Sequence, residues 1–224
     1  MIKMVVFDMA GTTVDEDNVV YKTVRQAINE KGFDLTLEQV LANGAGKEKL
    51  QAIKSVMEVH LGNTDEELAN AIFERFKVML ESAYNELQVK EQPAAKETFF
   101  ALRKRGIHVV LNTGYQGSVA EGLVRKLGWV PGSDYDALIT ASDVTRNRPH
   151  PDMILLAMER FGISDPKTVI KVGDSTIDVE EGKNAGCGLS IGITTGAHTR
   201  GQLETASPDF IINSLGELLP VLGL

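Results

Sequence analysis

The run Met4-Val5-Val6-Phe7 leads straight into Asp8, after which Gly11, Thr12 and Thr13 break it. A short, wholly apolar, β-branched run ended by glycine predicts a strand buried on both faces, as in a parallel sheet. Asp8 then falls at the carboxyl end of that strand, where open α/β sheets place their ligands. A carboxylate there can also do no more than cap the turn, so its partners along the chain decide its meaning.

From Pro93 onward the chain alternates helix and strand. The pattern predicts helices over 94–105, 118–127, 151–161 and 176–185, with a last one closing the chain. Between them fall the strands HVVLNTG (108–114), ALITASD (137–143), TVIKVGD (168–174), LSIGITT (189–195) and FIIN (210–213). Such alternation indicates βαβ units and a parallel sheet. The first strand belongs to this set, yet a stretch of different texture separates it from the rest. Val20, Val24, Ala27 and Ile28 recur at helical spacing up to Gly32, as do Leu50, Ile53, Met57 and Leu61 up to Gly62. Thr64-Asp65-Glu66-Glu67 reads as a capping box opening a long amphipathic helix through Leu87. The expected organisation is an α/β core of residues 1–15 and 90–224, with a helical domain, 16–89, inserted beside Asp8. That is the place for a lid, with 88–92 as the return hinge.

At 224 residues, 43% apolar and 24% charged, the chain has room for a core domain and an insert. A net charge of −8 offers no basic field, so neither nucleic acid nor an anionic membrane is an expected partner. Any anion must be held locally, by a cation, a metal or backbone amides. The lone cysteine, Cys187, excludes an internal disulfide and fits a reducing compartment. No apolar run reaches membrane-spanning length and no signal-peptide pattern is found, so the cytoplasm is the expected location.

Three more of the predicted strands end in chemistry. The strand 108–114 closes on Thr113-Gly114, a hydroxyl and a free amide just before a helix, and helix starts bind anions. After the strand 137–143 comes Arg148, an always-charged fork suited to phosphate. The strand 168–174 ends at Asp174, with Asp178 four residues on. Asp8 and Asp174 can share a hard cation such as Mg²⁺ through their oxygens. Each residue alone has a plainer reading as a cap or a surface cation. Together they supply a nucleophile, an anion cradle, a cation and a metal carboxylate at one edge of one sheet.

DMAGTT, NTG, Arg148 with RPHP, and VGDSTID resemble, in order, the four motifs of the haloacid dehalogenase superfamily. The likeness covers the whole chain and implies a Rossmann-like core whose helical insert is a C1-type cap. It implies that Asp8 attacks phosphorus and forms an aspartyl-phosphate. Mg²⁺ would be held by Asp8, Asp174 and the Ala10 carbonyl, the phosphoryl oxygens by Thr113, Gly114 and Arg148, with Asp178 in support. Ala10 stands where most phosphatases of the superfamily carry a second aspartate, the acid–base group for ester cleavage. DxAGTT, Thr113-Gly114-Tyr115 and RPHP resemble instead the phosphonatase subgroup, which cleaves a C–P bond through a Schiff base on a cap lysine.

The segment GKEKLQAI (46–53) resembles the matching cap segment of that subgroup and brings Gly46 and Lys49 to the site. The subgroup flanks its lysine with a methionine and a histidine where this chain has Ala45 and Ala52. A lysine in a helix's first turn, with Lys47 beside it, is biased towards the neutral amine that imine chemistry needs. A lysine that only binds phosphate by charge is the other reading. The expected substrate is a small phosphonate or phosphorylated metabolite. The rivals are a phosphoglycolate-type phosphatase or phosphosugar mutase, and a phosphate-binding protein without turnover. The resemblance also implies a homodimer through the cap.

Overall fold

The computed structural model describes residues 1–224, the side chains of Asn85 and Glu86 excepted. The chain begins with β1 (Met4–Asp8) and β2 (Val14–Asp15), then runs through α1 (Val19–Asn29), α2 (Leu37–Gly44), α3 (Lys49–Leu61) and α4 (Glu66–Glu86). It continues with β3 (Lys90–Glu91), α5 (Ala95–Arg103), β4 (His108–Thr113), α6 (Gly117–Lys126), β5 (Ala137–Thr140) and α7 (Asp152–Arg160). β6 (Val169–Gly173), α8 (Thr176–Asn184), β7 (Leu189–Ile193), α9 (Arg200–Thr205), β8 (Phe210–Ile212) and α10 (Leu218–Val221) complete it.

Six of these strands form one parallel sheet in the order β5-β4-β1-β6-β7-β8. This is the α/β layout that the helix–strand alternation predicts. The chain starts at the centre, builds outward through β4 and β5, then crosses β1 to lay down the other side. Such a reversal leaves a crevice at the carboxyl ends of the central strands. Register sets what meets there. Asp8 pairs with Asn112 and Phe7 with Val172, so Thr113 and Asp174 reach the same edge as Asp8.

β1 is buried along its whole length, and its side chains alternate between two clusters. Val5 and Phe7 join the larger one, where the Phe7 ring lies 5.2 Å from Phe99, itself edge-on to Trp129 at 5.3 Å. Met4 and Val6 face the other way, onto Met153, Ile154 and Ala157 of α7. In the helical block, α1 packs on α2 and α4, and α3 on the same two helices. The apolar stripe expected for α1 is buried, while in α3 Ile53 and Met57 are buried and Leu50 and Leu61 only half-buried, with Ala52 and Val56 completing that face.

Local details depart from expectation for local reasons. The cap of α4 is Asp65 rather than Thr64, its carboxylate accepting the amides of Glu67 and Leu68. α2 is an additional helix, opened by a reciprocal Thr36–Gln39 capping box. Residues 88–92 are not a plain loop: β3 pairs antiparallel with β2, so both crossings between sheet and helical block form one ribbon. β5 stops at Thr140, where Thr140 and Asp143 cap each other and wind 141–143 into a 3-10 turn. No helix among the described residues is long and apolar enough to cross a membrane.

Candidate active site

Asp8 at the end of β1, Asp174 just after β6 and Asp178 in the first turn of α8 converge, with carboxylate oxygens within 4.8 Å of one another. All three are buried. Asp174 is wedged between the backbones of Gly11 and Gly196, where a Cβ at either position would overlap its carboxylate. The Ala197 amide donates to Asp174 Oδ2 at 2.6 Å. Burial, then Asp178, pushes Asp8 up to about 6. Burial and the neighbouring Asp8 push Asp174 well above the usual carboxylate range. For Asp178 burial acts upward too, but Lys171 and Arg148 outweigh it and hold the group at about 2.

Arg148 and Lys171 make this possible. Arg148 Nη1 donates to Asp8 Oδ1 at 2.9 Å and also to Asp178 Oδ1. Lys171, fully buried on β6, lies 3.0 Å from Asp178, 3.2 Å from Glu181 and 2.5 Å from Asn112 Oδ1. Burial would strip its proton, yet Asp178 and Glu181 more than offset that. The buried cluster therefore sets the carboxyls of Asp8, Asp174, Asp178 and Glu181 against Arg148 and Lys171, with Lys49 nearby. A divalent cation would balance the ionised set. Its oxygen donors are at hand: Asp8, Asp174 and the Ala10 carbonyl, which accepts no hydrogen bond among the described residues. Asp178 is committed elsewhere, to Arg148, Lys171 and the Ser175 hydroxyl at 2.5 Å, so it acts on the arginine.

The residues expected to hold an anion are gathered at the same edge. Arg148 Nε is buried and has no partner among the described residues. Such a donor costs stability until an acceptor reaches it, as a phosphoryl oxygen would. Thr113 is buried, and among the described residues its Oγ1 accepts only the Tyr115 amide, at 3.2 Å. Gly114 lies against the carbonyls of Gly46 and Lys47, where a Cβ would come within 3.1 Å of both and press them back. It is not at a helix start, however: α6 begins at Gly117, so the amide of Gly114 lacks the axial field that the sequence suggested. Thr12 Oγ1 is another buried group without a partner among the described residues.

Lys49 opens α3 and is 5% exposed. Its Nζ donates to the Lys47 carbonyl at 2.6 Å and to the Tyr21 hydroxyl at 3.2 Å. The amine sits between two rings, 4.8 Å from the centroid of Tyr21 and 5.0 Å from that of Tyr115. Burial and the Arg148 charge pull it down to about 8. The bias towards a neutral amine is thus real, but Lys47 does not cause it; that side chain turns away to the Ser55 hydroxyl, 3.0 Å off. Gly46, at φ +75, presses against Ser175 and Ile177 with no room for a Cβ. The loop leading into Lys49 is thus seated on the carboxyl edge of the sheet, against Gly114, Ser175 and Ile177.

Glu16, Tyr21 and Lys171 complete the site, and the sequence reading passed over all three. Glu16 is buried and accepts from Tyr115 at 2.9 Å and Tyr84 at 3.1 Å. Burial lifts it to about 7 against the pull of both hydroxyls. In the sequence Glu16 is one of three consecutive acids and Tyr21 only a neighbour of the apolar stripe, so neither carries a local signal. Lys171 did carry a signal, a lysine inside an apolar strand. Beside Lys49 and Tyr115 lies a cavity of about 590 Å³, walled further by Phe76, Leu80 and Leu123.

Residues 2–186 match the haloacid dehalogenase-like hydrolase family. The chain is 33% identical over 204 residues to a bifunctional phosphonoacetaldehyde hydrolase/aminoethylphosphonate transaminase of Clostridioides difficile, covering 83% of this chain and 30% of that one. It thus spans under a third of that relative's length. It is 27% identical to a phosphonoacetaldehyde hydrolase of Latilactobacillus sakei, over 99% of this chain and 95% of that one. A phosphoglycolate phosphatase of Shigella boydii is 28% identical over 100% and 93% respectively. Among solved structures, a phosphonoacetaldehyde hydrolase-like protein of Oleispira antarctica superposes with a TM-score of 0.83 at 23% identity, over 99% of this chain and 91% of that one. With the match spanning most of its length, this chain belongs to the haloacid dehalogenase-like hydrolases.

Proposed function

We propose that this hydrolase is Mg²⁺-dependent and phosphonatase-like, removing the phosphoryl group from phosphonoacetaldehyde or a related small phosphonate through an aspartyl-phosphate on Asp8. Residues 1–15 and 90–224 form its catalytic core and 16–89 its cap. The observation that carries the reading is Lys49: a buried amine held at about 8, close enough to the site for Arg148 to act on it. Beside the nucleophile, position 10 offers no acid side chain.

In this reading the Lys49 amine condenses with the aldehyde, and the resulting imine accepts the C–P bonding pair as an enamine. Such a leaving group needs no acid at oxygen, which suits Ala10. Asp8 attacks phosphorus while the Arg148 Nε–H and the Thr113 hydroxyl take phosphoryl oxygens. Asp178 and Lys171 keep Arg148 in place. Bound Mg²⁺ would offset the repulsion between Asp8 and the incoming oxygens. The cavity beside Lys49 and Tyr115 leaves space for the organic part of the substrate.

Borohydride added with phosphonoacetaldehyde should trap an adduct on the peptide containing Lys49 and inactivate the enzyme. Lys49→Arg keeps the charge but forms no imine, so turnover should be lost. Near-normal activity in that variant, with phosphate esters as the better substrates, would move the assignment to a phosphoglycolate-type phosphatase.

A further inference from the structure

Tyr21 projects from α1 and is 6% exposed. Its phenolic oxygen accepts two hydrogen bonds, from the Gly46 amide at 3.0 Å and from Lys49 Nζ at 3.2 Å. With both acceptor directions used, the hydroxyl proton is what the group has left to offer. Among the described residues that proton meets no acceptor. The neighbouring phenols differ. Tyr115 and Tyr84 both spend their protons on Glu16. Burial first, then the Asp174 charge, keeps Tyr21 protonated. A buried hydroxyl that accepts from an amine and has its own proton to give is built to relay protons.

We propose that Tyr21 is a catalytic residue that carries a proton between Lys49 Nζ and the oxygen of a carbonyl substrate. The proposal rests on the imine-forming reading of Lys49. When the neutral amine adds to the carbonyl carbon, the N–C bond forms and the C=O π pair moves onto oxygen. The Tyr21 proton passes to that oxygen, and one proton of the now cationic nitrogen passes to the Tyr21 oxygen along the 3.2 Å hydrogen bond. The products are a neutral carbinolamine and an unchanged phenol, with no outside acid or base consumed. No isolated charge is left in a buried site, where one would be costly.

The experiment compares the wild type with Tyr21→Phe. Phosphonoacetaldehyde and borohydride are added together, and the Lys49 adduct is quantified by mass spectrometry against time. The variant keeps the ring under the amine, so inorganic phosphate affinity should hold, while the Gly46 amide loses its acceptor and the melting temperature should fall modestly. Adduct formation should slow by roughly 10²-fold or more, the lower end for a positioned proton-transfer group. Trapping should also slow in D₂O for the wild type and not for Tyr21→Phe, a difference that a purely structural role would not produce. Tyr21→Phe trapping at the wild-type rate would overturn the proposal. So would a wild-type rate indifferent to D₂O, which is decisive even if the variant misfolds. No adduct in the wild type at all would overturn the reading of Lys49 itself, and this one with it.

Discussion

Position 10 turns on a single missing side chain. Alanine leaves the backbone carbonyl for a metal but offers nothing to protonate an alkoxide leaving group. Ala10→Asp should therefore raise phosphomonoesterase activity, and raise it more for glycolate or sugar phosphates than for p-nitrophenyl phosphate, whose leaving group needs little help. The gain should fall short of the 10²–10⁴ of an evolved acid–base residue, because distance and pKa were never tuned there. C–P cleavage should not improve. Steady-state kcat on both ester types decides it: equal gains would break the link between Ala10 and leaving-group protonation. Lys49 makes a related point. Its amine is pulled down by what surrounds it, burial first and then the Arg148 charge.

At the level of elements, the site is the product of strand ends and the glycines that let them meet. Parallel pairing puts Asp8, Thr113 and Asp174 at one edge, but Asp174 fits only because Gly11 and Gly196 present bare backbone. Its carboxylate is pinned by the Ala197 amide, so it cannot swing aside. Gly196→Ala should cost about 1–3 kcal/mol of stability, as overpacked sites do. It should also weaken Mg²⁺ binding, measured by calorimetric titration. Gly201→Ala is the control: nothing lies within 4 Å of its added methyl, so metal binding should not change. Equal metal affinity in both variants would show that Asp174 is not held by this wedge. The β2–β3 ribbon belongs to this scale too, since it ties together the two crossings into the helical block.

Across the whole molecule, the buried charges set how stability depends on pH and metal. Asp8 has an ordinary value of 3.8 and a folded one of about 6, and Asp174 is raised as well. Raised carboxyls favour the protonated fold, so the metal-free chain should lose stability as pH climbs from about 4 through 6. Mg²⁺ needs those groups deprotonated, so its benefit should grow across the same window. At a hundredfold excess over its Kd it should add about 2.7 kcal/mol. The rise in melting temperature should thus be larger at pH 8 than at pH 5 and mostly absent in Asp8→Asn, which should also abolish turnover. A rise independent of pH, or intact in Asp8→Asn, would place the cation elsewhere. Much of this architecture was legible beforehand because strand runs, helical stripes and strand-end carboxylates are short-range patterns, and parallel register carries such ends to one edge. Asp8 and Asp174 were readable for that reason, and Arg148, in the loop after β5, from its residue type and the RPHP motif around it. Glu16, Tyr21 and Lys171 were not, because what matters about them is burial and partners supplied from far along the chain. Tyr115 reaches Glu16 across 99 positions, Lys171 reaches Asn112 across 59, and Lys49 reaches Tyr21 across 28. Local composition settled which elements form and where the strand-end chemistry falls; only tertiary packing, by removing water and fixing neighbours, decided which of those groups are charged and which protons are free to move.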